Sequence, residues 1–326
     1  MKYRLTLVYL AAAIILVGLY FYETRTEQEK TESSFEATRL FQSRAEQIDG
    51  VTIVRKSGEI TLEKSDDKEA KEWQITAPLK TGADTIAVDA LTRSIADLRY
   101  ERMVSESTDY AQFGLDDPEL TVSFRAGEKG DSIAFGATNP LGNSVYARKG
   151  EGRKVYLISA AARKELDKDL YDLRNKVLFS LVPEQVNRVV LVQGSEKWSF
   201  TRKEKEWFME GDESLKVDQE RVESLIRETI TAFPASFEEE KASDLGAYGL
   251  SLPKARVALS NGRKTEEILY GDPLKRKEKE GFIYAAVAGK PKVVSVRKRL
   301  LEDLPKTKEE FKQKDPEKKQ EGGATE

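Results

Sequence analysis

Residues 110–118 read YAQFGLDDP and residues 245–253 read LGAYGLSLP, and these two stretches decide the fold. Gly permits a backbone with positive φ, and Pro ends a turn ahead of a strand, so each stretch predicts a chain turn with a structural role, with a shared ligand groove at these loops as the alternative. The match predicts that the chain contains the same fold twice. The residues in register are Phe113, Gly114, Leu115 and Pro118 in the first copy and Tyr248, Gly249, Leu250 and Pro253 in the second.

The flanking sequence repeats in the same order. An alternating apolar stretch and a tryptophan come before each turn, and a second apolar stretch with an aromatic-Gly pair comes after it. Such an order over more than a hundred residues is typical of a duplication. The shared positions are Ile60, Leu62, Trp73, Phe135 and Gly136 in the first copy and Trp198, Phe200, Trp207, Tyr270 and Gly271 in the second.

A Val-Asp pair stands ahead of a helical pattern in each copy, as Val88-Asp89 and as Val217-Asp218. The apolar residues that follow recur every three or four positions, which is the spacing of one helix face. An aspartate just outside a helix accepts hydrogen bonds from free N–H groups of the first turn. The sequence therefore predicts one helix in each copy, with Asp89 and Asp218 as N-caps.

Hairpin turns are predicted at Ser57-Gly58 and Asn261-Gly262. Helices and strands do not alternate in the way that parallel βαβ units require. The predicted class is α+β, with an N-terminal transmembrane helix followed by two tandem repeats, each an antiparallel β-sheet with one packed helix.

The segment from Leu5 to Tyr22 contains no charged residue and follows Lys2 and Arg4. About 18 helical residues rise about 27 Å, close to the roughly 30 Å hydrocarbon core of a bilayer. Residues 20–23 match a signal-peptidase site poorly, so an uncleaved anchor is predicted, with a cleaved signal peptide or a buried helix as alternatives. By the positive-inside rule, we expect a single-pass protein of a bacterial cytoplasmic membrane whose bulk is extracytoplasmic, in the periplasm.

Five segments follow from these patterns. The charged C-terminal segment contains too few apolar residues to form a core and is expected to be disordered. The predicted segments are a transmembrane anchor at 1–23, a stalk at 24–47, repeat 1 at 48–180, repeat 2 at 181–304, and a tail at 305–326.

Composition narrows the function classes. Charged residues make up 34% of the chain, yet the net charge is only -3, which gives no basic field for nucleic acid, and we expect no nucleic-acid partner. The chain has no Cys and no His, which excludes disulfides, thiolate nucleophiles and most zinc sites. We expect no catalytic residue, no cofactor and no resident metal.

Two short motifs suggest a penicillin-recognising serine enzyme, namely Ser-x-x-Lys at 65–68 and Lys-Thr-Gly at 80–82. The serine of such a motif opens a core helix, whereas Ser65 lies in an acidic loop, so we interpret the match as a coincidence. The tryptophans Trp73, Trp198 and Trp207 could stack on sugars, but their apolar neighbours favour core packing.

Carboxylate runs at Asp116-Asp117 and at 238–240 could be general acid/base pairs or a hard-cation site. Adjacent residues rarely converge on one atom, because they point in different directions on a strand or a helix. Both runs are therefore predicted to be solvated. The basic segment 275–279 could touch lipid headgroups or an acidic partner, but its acidic neighbours favour a solvated loop.

Taken in order, these motifs resemble the DUF4340 family over nearly all of residues 1–305. The resemblance rests on the basic start and apolar anchor, Trp-x-Ile-x-x-Pro from Trp73 to Pro78, the repeated aromatic-Gly-Leu-x-x-Pro motif, and Leu-Arg-Asn-Lys at 173–176. The family is bacterial, has no defined biochemistry, and is often encoded beside an ABC-type transporter of the gliding-motility type. The resemblance therefore implies an ABC transporter permease or ATPase as a protein partner.

Three function classes remain. The first is a non-catalytic, membrane-anchored accessory or scaffold protein of an ABC-type transport complex. The second is a periplasmic module that binds lipid or glycan, which a large apolar cavity would favour. The third is an envelope hydrolase, which needs two carboxylates about 5 to 9.5 Å apart in a cleft.

Overall fold

A computed structural model describes residues 36–65, 72–106, 109–276 and 279–313. The chain divides into two compact units, with unit 1 ending at Asn175 and unit 2 starting at Lys176. In both, antiparallel strands form one sheet and helices pack against it, so the predicted α+β class is confirmed. Among the helices in these ranges, none is long and apolar enough to cross a bilayer. The predicted anchor at 1–23 lies outside the described residues.

Unit 1 is a nine-stranded sheet in the order β4-β3-β2-β1-β6-β7-β8-β9-β5. Its strands are β1 (Gly50–Arg55), β2 (Gly58–Lys64), β3 (Trp73–Ala77), β4 (Thr81–Gly82), β5 (Arg102–Glu106), β6 (Leu120–Ala126), β7 (Lys129–Thr138), β8 (Ser144–Lys149) and β9 (Lys154–Ser159). Its helices are α1 (Thr85–Ala96), α2 (Ala160–Leu166) and α3 (Leu170–Leu173), and 3-10 turns lie at Ala45–Gln47 and Ala111–Phe113.

Unit 2 is an eight-stranded sheet in the order β12-β11-β10-β14-β15-β16-β17-β13. Its strands are β10 (Arg188–Gln193), β11 (Glu196–Lys203), β12 (Glu206–Met209), β13 (Ser236–Glu239), β14 (Ala255–Ser260), β15 (Thr265–Pro273), β16 (Phe282–Val287) and β17 (Val293–Arg297). Its helices are α4 (Gln219–Ile230) and α5 (Arg299–Glu302), and 3-10 turns lie at Pro183–Gln185, Gly246–Tyr248 and Lys308–Phe311. Apart from β4, the two sheets have the same strand order.

Alternation along the strands explains where each core lies. In unit 1, Val51 pairs with Leu62 across β1 and β2, and both side chains are buried. In unit 2, Val189 pairs with Phe200 in the same register. Alternate residues share one face of a strand, so these pairs form an apolar layer. The long helices cover that layer with Val88, Leu91 and Ile95 on α1 and with Val222, Leu225 and Ile226 on α4.

Each unit begins earlier than the sequence predicted. Leu40 and Phe41 are buried in the core of unit 1, although the predicted stalk covered residues up to 47. The Nζ of Lys149 donates to the Leu40 carbonyl at 2.6 Å, and in unit 2 the Nζ of Lys290 donates to the Leu178 carbonyl at 3.0 Å. Residue 178 therefore belongs to unit 2, and the predicted boundary at 180/181 shifts to 175/176.

Each unit also closes on its own last residues. The Asp84 backbone N–H donates to the Leu173 carbonyl at 2.8 Å, and the Asp218 N–H donates to the Phe311 carbonyl at 2.7 Å. Phe311 is fully buried and packs 4.6 Å from Phe200, measured between ring centroids. Unit 2 thus extends beyond the predicted end at 304, because one aromatic residue in the charged segment completes the core. Residues 314–326 of the predicted tail lie outside the described residues.

The backbone polar groups of the two tryptophans, on β3 and β12, find their hydrogen-bond partners in different ways. In unit 1, β4 pairs with β3, and the Trp73 carbonyl accepts from the Ala83 N–H at 3.0 Å. In unit 2, the Gln219 side chain takes this role: its Oε1 accepts from the Trp207 N–H at 2.6 Å, and its Nε2 donates to the Trp207 carbonyl at 3.1 Å. A side-chain amide therefore satisfies both polar groups of a backbone edge that would otherwise be open.

Candidate functional site

The repeated aromatic-Gly-Leu-x-x-Pro turn packs onto its own sheet in both units. Gly114 and Gly249 have φ angles of 67° and 69°, a left-handed conformation that disfavours residues with a Cβ. The turn contacts the sheet at a second glycine. A Cβ on Gly136 would lie 2.3 Å from the Phe113 carbonyl oxygen, and one on Gly271 would lie 2.2 Å from that of Tyr248. Both glycines of each pair therefore stand where a side chain would be strained or would clash.

The side chains of the turn form a small apolar cluster on the sheet face. Phe113 lies 5.0 Å from Tyr146, and Tyr248 lies 5.1 Å from Tyr284, measured between ring centroids. Leu115 and Leu250 of the motif are buried beside these pairs, and Pro118 and Pro253 precede strands β6 and β14. The motif therefore packs internally in both units.

The helix caps correct one prediction. Asp218 is the N-cap of α4, and its carboxylate accepts from the Arg221 N–H at 3.1 Å. In unit 1 the N-cap is Asp84, whose carboxylate accepts from the Ala87 N–H at 3.1 Å. Asp89 lies inside α1 and is exposed. The sequence alignment of Val88-Asp89 with Val217-Asp218 is therefore wrong, because Ala83-Asp84 corresponds to Val217-Asp218.

The tryptophans lie in the cores, as predicted, because Trp73, Trp198 and Trp207 are each no more than 5% exposed. Such burial is that of core side chains, as their apolar neighbours predicted. The Ala77–Pro78 peptide that follows β3 is cis. Of the serine-enzyme motifs, Thr81–Gly82 forms β4, while residues 66–68 lie outside the described residues.

The predicted solvated carboxylates divide into two cases. Asp117 is exposed and pairs with exposed Lys56 at 2.6 Å, as expected for surface residues. The Glu238 side chain is only 7% exposed and accepts from Lys279 at 2.8 Å and from Ser236. Burial alone would raise the pKa of Glu238, but these hydrogen bonds lower it below its ordinary value. The prediction of a solvated side chain is therefore wrong for Glu238, and Lys279 of the basic segment is held by this pair.

One pocket that brings apolar walls and charged side chains together lies within unit 2, between the β11–β12 hairpin, α4 and the start of the unit. It has a volume of about 210 Å³. Its apolar walls are Pro183, Trp207 and Ile226, and its charged groups are Arg202, Arg227, Glu184 and Glu223. Paired residues of neighbouring strands share one face, and the pairing of Arg202 with Trp207 explains why the guanidinium lies over the indole, 5.6 Å from its centroid.

Two ion pairs position the charged groups of this pocket. The Arg202 Nη2 lies 3.6 Å from Glu223 Oε1, and the Arg227 Nη1 lies 3.7 Å from Glu223 Oε2. Arg227 also donates to Glu220 at 2.5 Å. Glu223 and Arg227 are four residues apart on α4, so their contact follows from helix spacing. Glu184 is exposed at the pocket.

Sequence reasoning missed this pocket. The four-residue spacing of Glu223 and Arg227 was a visible signal, but it is common on solvated helices. The position of Arg202 depends on the register of a hairpin, which sequence alone did not provide.

Among the described residues, no group of three or more acidic side chains lies close enough together to hold a metal ion.

Comparison with known proteins agrees with the internal repeat. A search of curated proteins and a search of solved structures each gave no match. The model of one family, described as a domain of unknown function (DUF4340), matches residues 73–213 and 207–325, and each match starts at a core tryptophan, Trp73 or Trp207. These matches cover more than half of the 326 residues. The chain therefore belongs to the DUF4340 family.

Proposed function

We propose that this protein is a non-catalytic, membrane-anchored extracytoplasmic scaffold that serves an ABC-type transport complex. The observation that carries the proposal is the use of the shared motif in both units. Its glycines allow the turn to approach the sheet, its aromatic residues pack edge-on or tilted against a neighbouring tyrosine, and its leucines are buried. What the two units have in common is thus a shape, which suits a protein that acts through its surfaces.

Two further points support the membrane anchor and the transport partner. The uncharged stretch from Leu5 to Tyr22 supports an anchor, and the basic residues before it support export of the remainder. The ABC-type partner comes from the family resemblance, which is an argument by analogy. In this proposal the anchor lies beside the permease helices, and the two units hold a partner or cargo outside the membrane.

The surfaces offer positions at which partner contact can be measured. Ile86 in unit 1 is 80% exposed, and Leu252 in unit 2 is 91% exposed. Single exposed apolar side chains are normal on a protein surface, so they serve as probe positions and do not define an interface. A photo-crosslinking amino acid at either position leaves the core unchanged.

The test is affinity purification of the full chain from gently solubilised membranes, followed by mass spectrometry, with a sham-tagged control. We expect near-stoichiometric recovery of a permease and its ATPase, and crosslinks from at least one probe position to either of them. Recovery of the protein alone, with neither subunit enriched over the control, would overturn the proposal. A variant in which an unrelated anchor replaces residues 1–23 separates the anchor's contribution from that of the two units.

One observation favours the ligand-binding alternative. The pocket beside Trp207 combines apolar walls with two arginines and two glutamates, so it offers a ligand both apolar contact and groups that orient polar atoms. Recovery of the protein alone with a co-purifying small molecule would move this alternative to the front.

A further inference from the structure

Arg202 is a half-buried arginine of the pocket lining whose donor groups are only partly used. Its side chain is 27% exposed, and its Nε is buried without a hydrogen-bond partner. The guanidinium contacts the Trp207 ring and lies 3.6 Å from Glu223, a separation longer than a hydrogen bond. Five N–H groups of arginine can donate, and a buried donor without an acceptor costs free energy. The pocket therefore has unused donor capacity at Arg202.

The equivalent position in unit 1 shows that the fold itself does not require an arginine. Lys64 pairs with Trp73 across β2 and β3, as Arg202 pairs with Trp207, and the Lys64 Nζ lies 5.6 Å from the Trp73 centroid. In unit 1 a lysine thus lies over the equivalent tryptophan at the same distance. Arginine differs from lysine in its planar fork, which matches the two oxygens of a carboxylate. Arg202 is therefore suited to a task that Lys64 is not.

Glu223 holds the two arginines at the pocket without using their donors fully. It lies 3.6 Å from Arg202 and 3.7 Å from Arg227, so its oxygens neutralise charge without short hydrogen bonds to either group. Exposed Glu184 adds a second negative charge to the lining. With two cations and two anions the lining has no net charge, so a second negative charge on a ligand would gain no net attraction, whereas a single oxyanion finds donors at Arg202.

The apolar walls and the volume of the pocket indicate the size and polarity of the remainder of the ligand. Pro183, Trp207 and Ile226 are apolar, and the volume of about 210 Å³ admits only a small molecule. We infer that the pocket of unit 2 binds a small monocarboxylate with an apolar body, its carboxylate on Arg202 and its carbon chain against Ile226 and Pro183. This inference does not depend on the scaffold proposal, since a scaffold and a freely acting protein could each bind such a ligand.

The test uses the full chain labelled with 5-fluorotryptophan, which gives three ¹⁹F signals because the chain has three tryptophans. A Trp207→Phe variant assigns the signal of the pocket. Hexanoate, acetate, succinate and neutral 1-hexanol are titrated at constant ionic strength. We expect hexanoate to shift the Trp207 signal saturably while the Trp73 signal stays fixed. Acetate should bind more weakly for lack of apolar contact, and hexanol and succinate at least about tenfold more weakly than hexanoate.

Two variants form the matched control. Arg202→Gln should weaken hexanoate binding at least about tenfold, and Lys64→Gln, at the equivalent position of unit 1, should leave it unchanged. Unshifted Trp73 and Trp198 signals in Arg202→Gln show that this variant is folded. Arg202→Lys keeps the positive charge but lacks the planar guanidinium, so it should still lose most of the affinity for hexanoate. The inference is overturned if hexanol binds as well as hexanoate, if no saturable shift occurs, or if Arg202→Gln binds hexanoate as the parent does.

Discussion

Apart from β4, unit 1 and unit 2 have the same strand order, but they differ at the sheet edge next to the tryptophan and in the residue that lies over it. In unit 1 a short strand, β4, covers the edge beside Trp73, whereas in unit 2 the Gln219 side chain does so beside Trp207. A lysine lies over the first tryptophan and an arginine over the second. The positions where backbone touches backbone, Gly136 and Gly271, are the same in both. The two units therefore share their close backbone contacts, while the groups that cover the sheet edge and the tryptophan differ between them.

The largest expected effect tests whether both units are closed by their last residues. Phe311→Ala should lower the free energy of unfolding by about 3–5 kcal/mol, because it removes a fully buried ring that packs on Phe200 and Trp198. Leu173→Ala, at the equivalent place in unit 1, should cost about 2–5 kcal/mol. Urea unfolding of the full chain measures both. An unchanged midpoint for Phe311→Ala would mean that unit 2 ends near residue 304.

The next prediction concerns the shared glycines. Gly136→Ala and Gly271→Ala should each cost about 3 kcal/mol, because the new Cβ would overlap a carbonyl oxygen of the turn. Gly82→Ala is the control, since its Cβ would lie 3.7 Å from the nearest atom. Thermal unfolding compares the three variants. If Gly136→Ala and Gly271→Ala differ greatly in cost, the two turns are not equivalent.

A smaller effect distinguishes the two edges. Gln219→Ala should cost about 1–3 kcal/mol, because it leaves the N–H and carbonyl of Trp207 without their partners. Thr85→Ala, at the equivalent position of α1, should change stability by less than about 0.5 kcal/mol, because residue 85 is exposed and β4 already covers that edge. Chemical denaturation gives both values. Equal costs at the two positions would contradict the exchange of a strand for a side chain.

The helix caps allow a direct check of the corrected alignment. Asp84→Ala and Asp218→Ala should each cost about 1 kcal/mol, because each removes a side-chain acceptor from the first turn of a helix. Asp89→Ala should change stability by less than about 0.5 kcal/mol, because that residue is exposed within α1. A loss at position 89 that equals the loss at 84 would restore the alignment predicted from sequence.

The smallest effect depends on pH and belongs to unit 2 alone. Glu210 accepts from Arg188 at 2.8 and 2.9 Å and from Thr201, and these bonds lower the pKa of its carboxyl to about 2. Unit 1 has Gly50 and Thr76 at the equivalent positions of Arg188 and Glu210. The folded pKa lies below the ordinary value of 4.5, so the stabilisation is present above that pH and is lost as the pH falls toward 2.

Glu210→Gln should therefore lower stability at pH 7 by less than about 1 kcal/mol, since exposed ion pairs are screened by solvent. The difference between parent and variant should shrink as the pH falls from 5 to about 2. Urea unfolding at several pH values measures this difference. A constant difference across the range would exclude the carboxylate as its source.

The sequence predicted the features that depend on local pattern. Alternating apolar residues indicated the strands, and the matched Phe113 and Tyr248 turns indicated the duplication. Non-local packing caused the errors. Phe311 lies in a charged segment, and only its contact with Phe200 shows that it belongs to the core. Asp89 was preferred over Asp84 as a cap because the preceding valine matched, whereas the cap depends on where the helix starts.

The pocket was beyond prediction for a related reason. Its charged groups come from a strand, a helix and the start of unit 2, and no short motif joins them. Arg202 reaches Trp207 only because the β11–β12 hairpin pairs the two residues. A shift of one residue in that register would place Arg202 on the other face of the sheet.

The late position of Phe311 has a consequence for synthesis. A chain emerges from its N-terminus at about 5–20 residues per second, and domains generally fold as units in that order. Unit 1 has all its core residues once residue 173 has emerged, so its fold can form while translation continues. Unit 2 lacks its last core side chain until residue 311 has emerged, and the face of Phe200 that Phe311 covers stays exposed until then. A chaperone that binds exposed apolar side chains during synthesis should therefore stay on unit 2 longer than on unit 1.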